Sequence, residues 1–133
     1  MNIIAFMKPK TEVTYMFDQD TVREAIEIMR KHRYTSIPVL SKTGEYIGTV
    51  SEGDLLYTLD LVGRDEVENI KVNSIKRHRD YEPVKINETM LVLLSRASHE
   101  NFVPIIDDSN QFLGIVTRKT ILDYFFEHNF MVL

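Results

Sequence analysis

The 133 residues suffice for one compact domain or two small subdomains, and 44% apolar with 27% charged side chains is the balance of a globular chain. Sixteen basic against 20 acidic residues give a net charge of −4, which argues against general nucleic-acid binding, whose footprint is basic. There is no cysteine, which excludes disulfides and thiolate metal sites.

The first apolar stretch, residues 3–7, is too short for a signal-peptide core, and no apolar run reaches bilayer-spanning length; the expected location is the cytosol, without membrane contact. Pro9 stiffens a lead-in segment. Val13, Tyr15 and Phe17 alternate and predict a short strand over residues 11–17. Residues 18–21 carry short oxygen-bearing side chains that suit a helix start. Val22, Ala25, Ile26 and Met29 then share one helical face, with Arg30, Lys31, His32 and Arg33 at the negative end. Residues 34–40 form a β-type run whose Pro38 fits an edge or bulge position. A turn around Gly44 and a second run over residues 46–50 complete a hairpin. Ser51-Glu52-Gly53-Asp54 caps another helix bearing Leu55, Leu56 and Leu59. Residues 60–73 are charged and mixed, with Gly63 a candidate helix end.

The same order then returns. Residues 83–86 predict a strand, Asn87-Glu88-Thr89 opens a helix, residues 102–106 and 112–116 form a hairpin, and Thr117 opens the last helix with Ile121, Leu122, Phe125 and Phe126. Ser36-Ile37-Pro38-Val39 is repeated as Phe102-Val103-Pro104-Ile105, and Gly48-Thr49-Val50-Ser51 as Gly114-Ile115-Val116-Thr117. The offset is 66 positions in each case (38 to 104, 48 to 114, 51 to 117). A unit of roughly 60 residues is marginal alone, so the copies are expected to bury apolar faces against each other. The apolar ending, with Phe125, Phe126, Phe130, Met131, Val132 and Leu133, suits packing or a dimer contact.

A strand ending in Ile-Pro-Val, a glycine turn, and then Gly-hydrophobic-hydrophobic-Ser/Thr-x-x-Asp at a helix start resembles a CBS domain. The first copy is Ile37-Pro38-Val39 with Gly48-Thr49-Val50-Ser51-Glu52-Gly53-Asp54; the second is Val103-Pro104-Ile105 with Gly114-Ile115-Val116-Thr117-Arg118-Lys119-Thr120. The resemblance is to short stand-alone bacterial pairs. It implies an α+β fold of two tandem β-α-β-β-α units packed as a pseudo-twofold pair, and homodimers of such pairs. It also implies binding of an adenine nucleotide (AMP, ADP, ATP or cyclic di-AMP) as a regulatory ligand. The expected division is a first unit over 1–62 including the lead-in, a linker over 63–74, and a second unit over 75–133.

Ser51 and Asp54 lie three residues apart at a helix start and point the same way. One reading makes them only an N-cap and a dipole partner. The other gives Ser51 a phosphate, favoured by free N–H groups, and gives Asp54 the ribose hydroxyls, as the resemblance implies. Thr117 matches Ser51, but Thr120 stands where the motif has aspartate, and a hydroxyl offers no charge-assisted acceptance of a diol. That second site is either empty, a phosphate site through Thr117 and Arg118, or packing. The resemblance further implies base contacts at Tyr34, Thr35, Ser36, Ile37 and Pro38, and in the second unit at Asn101, Phe102, Val103 and Pro104, with Thr11, Val13, Pro83 and Val84 from the preceding strands. For the apolar members of this set the competing reading is ordinary core. The cluster Lys76-Arg77-His78-Arg79-Asp80 brings Arg77 and Arg79 as candidates for phosphate oxygens, against a solvated face.

The four histidines lack metal-ligand spacing, and no nucleophile elbow or phosphate loop occurs. The expected function is therefore a non-catalytic regulatory module that requires no cofactor and binds an adenine nucleotide. A downstream protein effector is an expected partner. The alternative is a protein-interaction scaffold with degenerate sites.

Overall fold

The sequence periodicities become two small sheets and four helices in the computed structural model, which describes residues 2–129. The chain divides into two units, one of residues 14–80 and one joining the N-terminal residues up to Val13 with the chain from Tyr81 onward.

After β1 (Lys8–Pro9), which belongs to the other unit, the order in the 14–80 unit is β2 (Met16–Phe17), α1 (Val22–His32), β3 (Ser36–Leu40), β4 (Tyr46–Ser51) and α2 (Glu52–Val62). The sheet runs β2-β3-β4, parallel across the first pair and antiparallel across the hairpin. Helix α1 begins in a capping box: the Thr21 hydroxyl accepts the Glu24 N–H, and the Glu24 carboxylate accepts the Thr21 N–H. Its buried face, Val22, Ala25 and Met29, packs with Ile37, Val39, Val50 and Leu55. It ends at Arg33, whose φ of 60° places it in the left-handed region.

Pro38 differs from expectation, because β3 is the middle strand of its sheet. The reason it is tolerated is the brevity of β2, which pairs only with Val39 and Leu40. Among the described residues no strand lies beside Pro38 on that side, so the missing N–H leaves no ladder bond unmade. The irregularity expected nearby falls one step later, between Val39 and Leu40.

Residues 63–74, expected as a linker, are built into this unit. Gly63 ends α2 with a φ of 88°. Val67 and Val72 are fully buried in the same core. The backbone is stitched to the start of α1: the Val22 N–H donates to the Ile70 carbonyl at 2.8 Å, and the Val72 N–H donates to the Asp20 carbonyl at 2.8 Å. Short 3-10 turns at Glu66–Glu68 and Val72–Ser74 let a segment without helical periodicity follow that surface.

The other unit contains β1 (Lys8–Pro9), β5 (Val84–Lys85), α3 (Met90–Ala97), β6 (Phe102–Ile106), β7 (Phe112–Thr117) and α4 (Arg118–Asn129), with sheet order β1-β7-β6-β5. The lead-in, expected with the first repeat, therefore belongs here. Lys8 and Pro9 pair antiparallel with Ile115 and Gly114, while Ile3 and Phe6 are buried with Leu93, Val103, Ile105 and Val116. Gly114 makes this possible, since a Cβ there would run into the Lys8 carbonyl. The expected strand over 11–17 is reduced to β2, because residues 10–12 form a 3-10 turn. The strand expected over 83–86 is reduced to β5. Of the apolar ending, Phe125 packs on this core and Phe126 is exposed; Phe130, Met131, Val132 and Leu133 lie outside the described residues.

Candidate functional site

The turn from β4 into α2 places Ser51 and Asp54 as the sequence requires. The Ser51 hydroxyl accepts the Asp54 N–H at 3.2 Å, and Asp54 Oδ2 accepts the Ser51 N–H at 2.9 Å, a reciprocal cap. The second carboxylate oxygen is also engaged: Asp54 Oδ1 accepts the His78 N–H at 2.8 Å. Asp54 is only 6% exposed, so its charge is met by two backbone donors and not by bulk water.

Beside this carboxylate lies a cavity of about 730 Å3, within the range of small-molecule pockets. Ser51, Gly53 and Asp54 form one end. Tyr57, Thr58, Leu61 and Val62 of α2 form one wall, and Ile70, Ser74, Ile75, Lys76 and His78 form the other. The walls are thus largely apolar, with Asp54, Lys76 and His78 also among the lining residues. Tyr57, in the α2 wall, is 72% exposed.

Only Ser51 and Asp54 of the sequence-predicted residues stand in these walls. Arg77 does not: its Nε donates to Asp80 Oδ1 at 2.8 Å and its Nη2 to Asp80 Oδ2 at 3.2 Å. Asp80 Oδ1 also accepts the Thr49 N–H at 2.9 Å, on the edge of β4 that faces away from β3. Gly48 allows this approach, since a Cβ there would overlap the Asp80 carboxylate. In the second repeat the matching glycine admits the backbone of β1 instead. Arg79 is exposed and outside the walls. Tyr34 is exposed and stacks on His32 with ring centroids 5.3 Å apart. Thr35 gives its carbonyl to the Glu52 N–H, Ser36 is half-buried at the start of β3, and Ile37 and Pro38 are buried in that strand. Thr11 and Val13 belong to the other unit.

In that unit Thr117 caps α4, accepting the Thr120 N–H at 3.1 Å, and the two hydroxyls lie 2.8 Å apart. Arg118 is structural here, its Nε donating to the Ala97 carbonyl at 2.9 Å. Phe102, Val103, Pro104 and Val84 are buried in the sheet, Phe102 against Tyr81; Pro83 is half-buried and Asn101 exposed. Among the described residues no group of three or more histidine, aspartate or glutamate side chains is placed to hold a metal, and no helix is long and apolar enough to cross a membrane.

The Asp80 carboxyl is buried enough to resist ionisation, but the Arg77 hydrogen bonds, the Thr49 N–H and the Arg77 charge outweigh this and hold it below its usual value of 3.8. The hydrogen bonds that Arg77 donates to Asp80 likewise raise Arg77, which stays charged. A depressed carboxyl contributes stability above its unfolded pKa and loses it as pH falls through the folded value. The Thr49 amide resonance should therefore hold constant down to about pH 4 and move only below it. An Asp80→Asn chain should show no such movement, and a wild-type midpoint at or above the usual value of 3.8 would contradict the pairing.

The CBS domain family model matches residues 4–60 and 73–127. The chain belongs to the CBS domain family and carries two tandem CBS repeats. Among curated proteins it is 30% identical over 103 residues to an uncharacterized protein of Methanopyrus kandleri, covering 74% of this chain and 52% of that one. It is 24% identical to the inosine-5'-monophosphate dehydrogenase of Methanocaldococcus jannaschii, covering 84% of this chain and 21% of that enzyme. It thus spans about half or less of the length of these relatives. Among solved structures, CbpB in complex with c-di-AMP superposes with a TM-score of 0.86 at 23% identity, covering 98% of this chain and 89% of that one. The Listeria monocytogenes CbpB complex with c-di-AMP gives 0.83 at 21% identity, covering 95% and 96%. These likenesses bear out the mixed α and β fold of a CBS pair.

Proposed function

We propose that this chain is a non-catalytic regulatory module that binds an adenine nucleotide beside Asp54. The observation that carries the reading is a buried carboxylate at a helix start, beside a largely apolar cavity that Lys76 and His78 also line. A carboxylate accepts ribose hydroxyls in charge-assisted hydrogen bonds. The apolar wall and Tyr57 suit a purine face, and the two basic side chains suit phosphate. The CbpB structures with c-di-AMP support a nucleotide as the ligand class. Residues 34–38 and the second-repeat candidates, including Thr117, Arg118 and Thr120, take no part in this cavity. Occupancy acts by linkage: the ligand shifts the module only as far as it prefers one arrangement. Homodimerisation, a protein effector and a cytosolic setting belong to the same proposal.

A scaffold without ligand is the second reading, favoured by the engagement of both Asp54 oxygens by backbone donors. A thermal-shift panel of AMP, ADP, ATP, S-adenosylmethionine, NAD and cyclic di-AMP separates the two. At about a hundredfold excess over Kd a ligand stabilises by roughly 2.7 kcal/mol, a rise on the order of 5–15 °C for a domain of this size. A flat response to all six supports the scaffold.

A further inference from the structure

We propose that residues 76–80 form a latch that closes on Asp54 through the His78 N–H, and that a nucleotide's ribose hydroxyls open it by taking the same carboxylate oxygen. The inference rests on the nucleotide-binding reading of the Asp54 cavity and concerns how that site is regulated. Three features of the segment carry it.

First, the segment competes for the site. His78 lines the cavity, and its N–H holds Asp54 Oδ1 at 2.8 Å while the helix cap holds Oδ2 at 2.9 Å. With Asp54 6% exposed, a hydroxyl arriving from the cavity meets a carboxylate already covered on both oxygens. The cap is part of α2 and stays with the helix. The His78 N–H belongs to an irregular segment and is the donor that can leave.

Second, the segment is anchored on both sides of His78 by a separate clasp. Arg77 grips Asp80 through two nitrogens, and Asp80 takes the Thr49 N–H on the edge of β4. The Arg77 Nη1 also reaches the Val72 carbonyl at 3.4 Å. The side-chain pair is half open to solvent at Asp80, the condition under which such pairs are weak enough to break.

Third, the two attachments are covalently linked, His78 lying between Arg77 and Asp80 in the chain, so moving His78 away from Asp54 pulls on the Arg77–Asp80 clasp and uncovers the edge of β4. Occupancy at the carboxylate thereby becomes a change at a strand edge, a surface able to pair with another chain.

Closing the latch lowers the apparent affinity by the fraction of molecules in which it is open. Loosening the clasp therefore tightens nucleotide binding. Amide hydrogen exchange is measured on the full chain with and without AMP, ATP and cyclic di-AMP at saturating concentration, beside calorimetric titration of wild-type and Asp80→Asn chains. The expected result is exchange at His78 and Thr49 accelerated about tenfold by a bound nucleotide, and an affinity for it at least threefold higher in Asp80→Asn. Binding with exchange at 76–80 unchanged or slowed overturns the latch and leaves the nucleotide site standing; this holds in the wild-type chain even if Asp80→Asn folds poorly. Affinity in a folded Asp80→Asn chain equal to or below wild type also overturns it. Failure of both chains to bind any of the three probes overturns the nucleotide reading, and the latch with it.

Discussion

Replacing Gly114 by alanine should lower the melting midpoint by several degrees, and by more than the same change at Gly48. Both glycines sit at matching positions of the duplicated strand pair, 66 residues apart, and both leave room for something that crosses the strand face. At Gly114 the crossing group is backbone, the Lys8 carbonyl. A methyl group there must push β1 off β7, taking with it the lead-in that buries Ile3 and Phe6. Overpacking of this kind costs about 1–3 kcal/mol, and each kcal/mol moves the midpoint of a domain this size by roughly 2–8 °C. At Gly48 the crossing group is the Asp80 side chain, which can rotate away and give up its hydrogen bonds to Thr49 and Arg77. Circular-dichroism melts of both variants make the comparison. An equal or smaller loss at Gly114 would show that the lead-in is not held as described.

The Asp54→Asn chain should bind the responding nucleotide about 10–100 times more weakly than wild type, since hydrogen bonds to a charged group contribute roughly 1.5–3 kcal/mol. An amide keeps the size of the carboxylate but turns an N–H toward one of the donors at Ser51 and His78. The substitution therefore also weakens the helix cap, at a cost of about 1 kcal/mol. The two effects separate cleanly. A stability loss with affinity intact would restrict Asp54 to capping. Calorimetric titration and thermal melts of the same sample report both.

What the sequence disclosed follows from how local each feature is. The hairpins were legible because Pro38, Gly44 and Gly48 punctuate alternating apolar runs, and the copy at Pro104 and Gly114 repeats them. The helix cap at Ser51 and Asp54 was legible because its partners are three residues apart. The other cavity wall was not, because Ile70, Ser74 and Ile75 follow no period, and their segment is held by backbone bonds from Ile70, Val72 and Asn73 to residues 18–22. The apolar residues Val67, Ile70 and Val72 in the segment expected as a linker are the signal that it is buried. Tyr57 and Leu61 carry no local signal of a cavity, because an aromatic or leucine on a helix ordinarily reads as core. Arg77 is a candidate for phosphate oxygens in the sequence because charge runs do not reveal their partners; in the fold it pairs with Asp80.

The lead-in shows the same limit from another side. Its contacts with β7 join residues about 105 positions apart in sequence, and nothing local to Lys8 or Pro9 announces that pairing. Gly114 holds the only trace, and a glycine in a strand admits several explanations until the crossing chain is seen.

The central claim is that the Asp54 carboxylate reads the ribose of an adenine nucleotide. Its most direct test is a pair of calorimetric titrations of the wild-type chain, with the nucleotide giving the largest thermal shift and with its 2′-deoxy counterpart. The account predicts saturable binding of the first and at least tenfold weaker binding of the second. Equal affinity for the two sugars would contradict it.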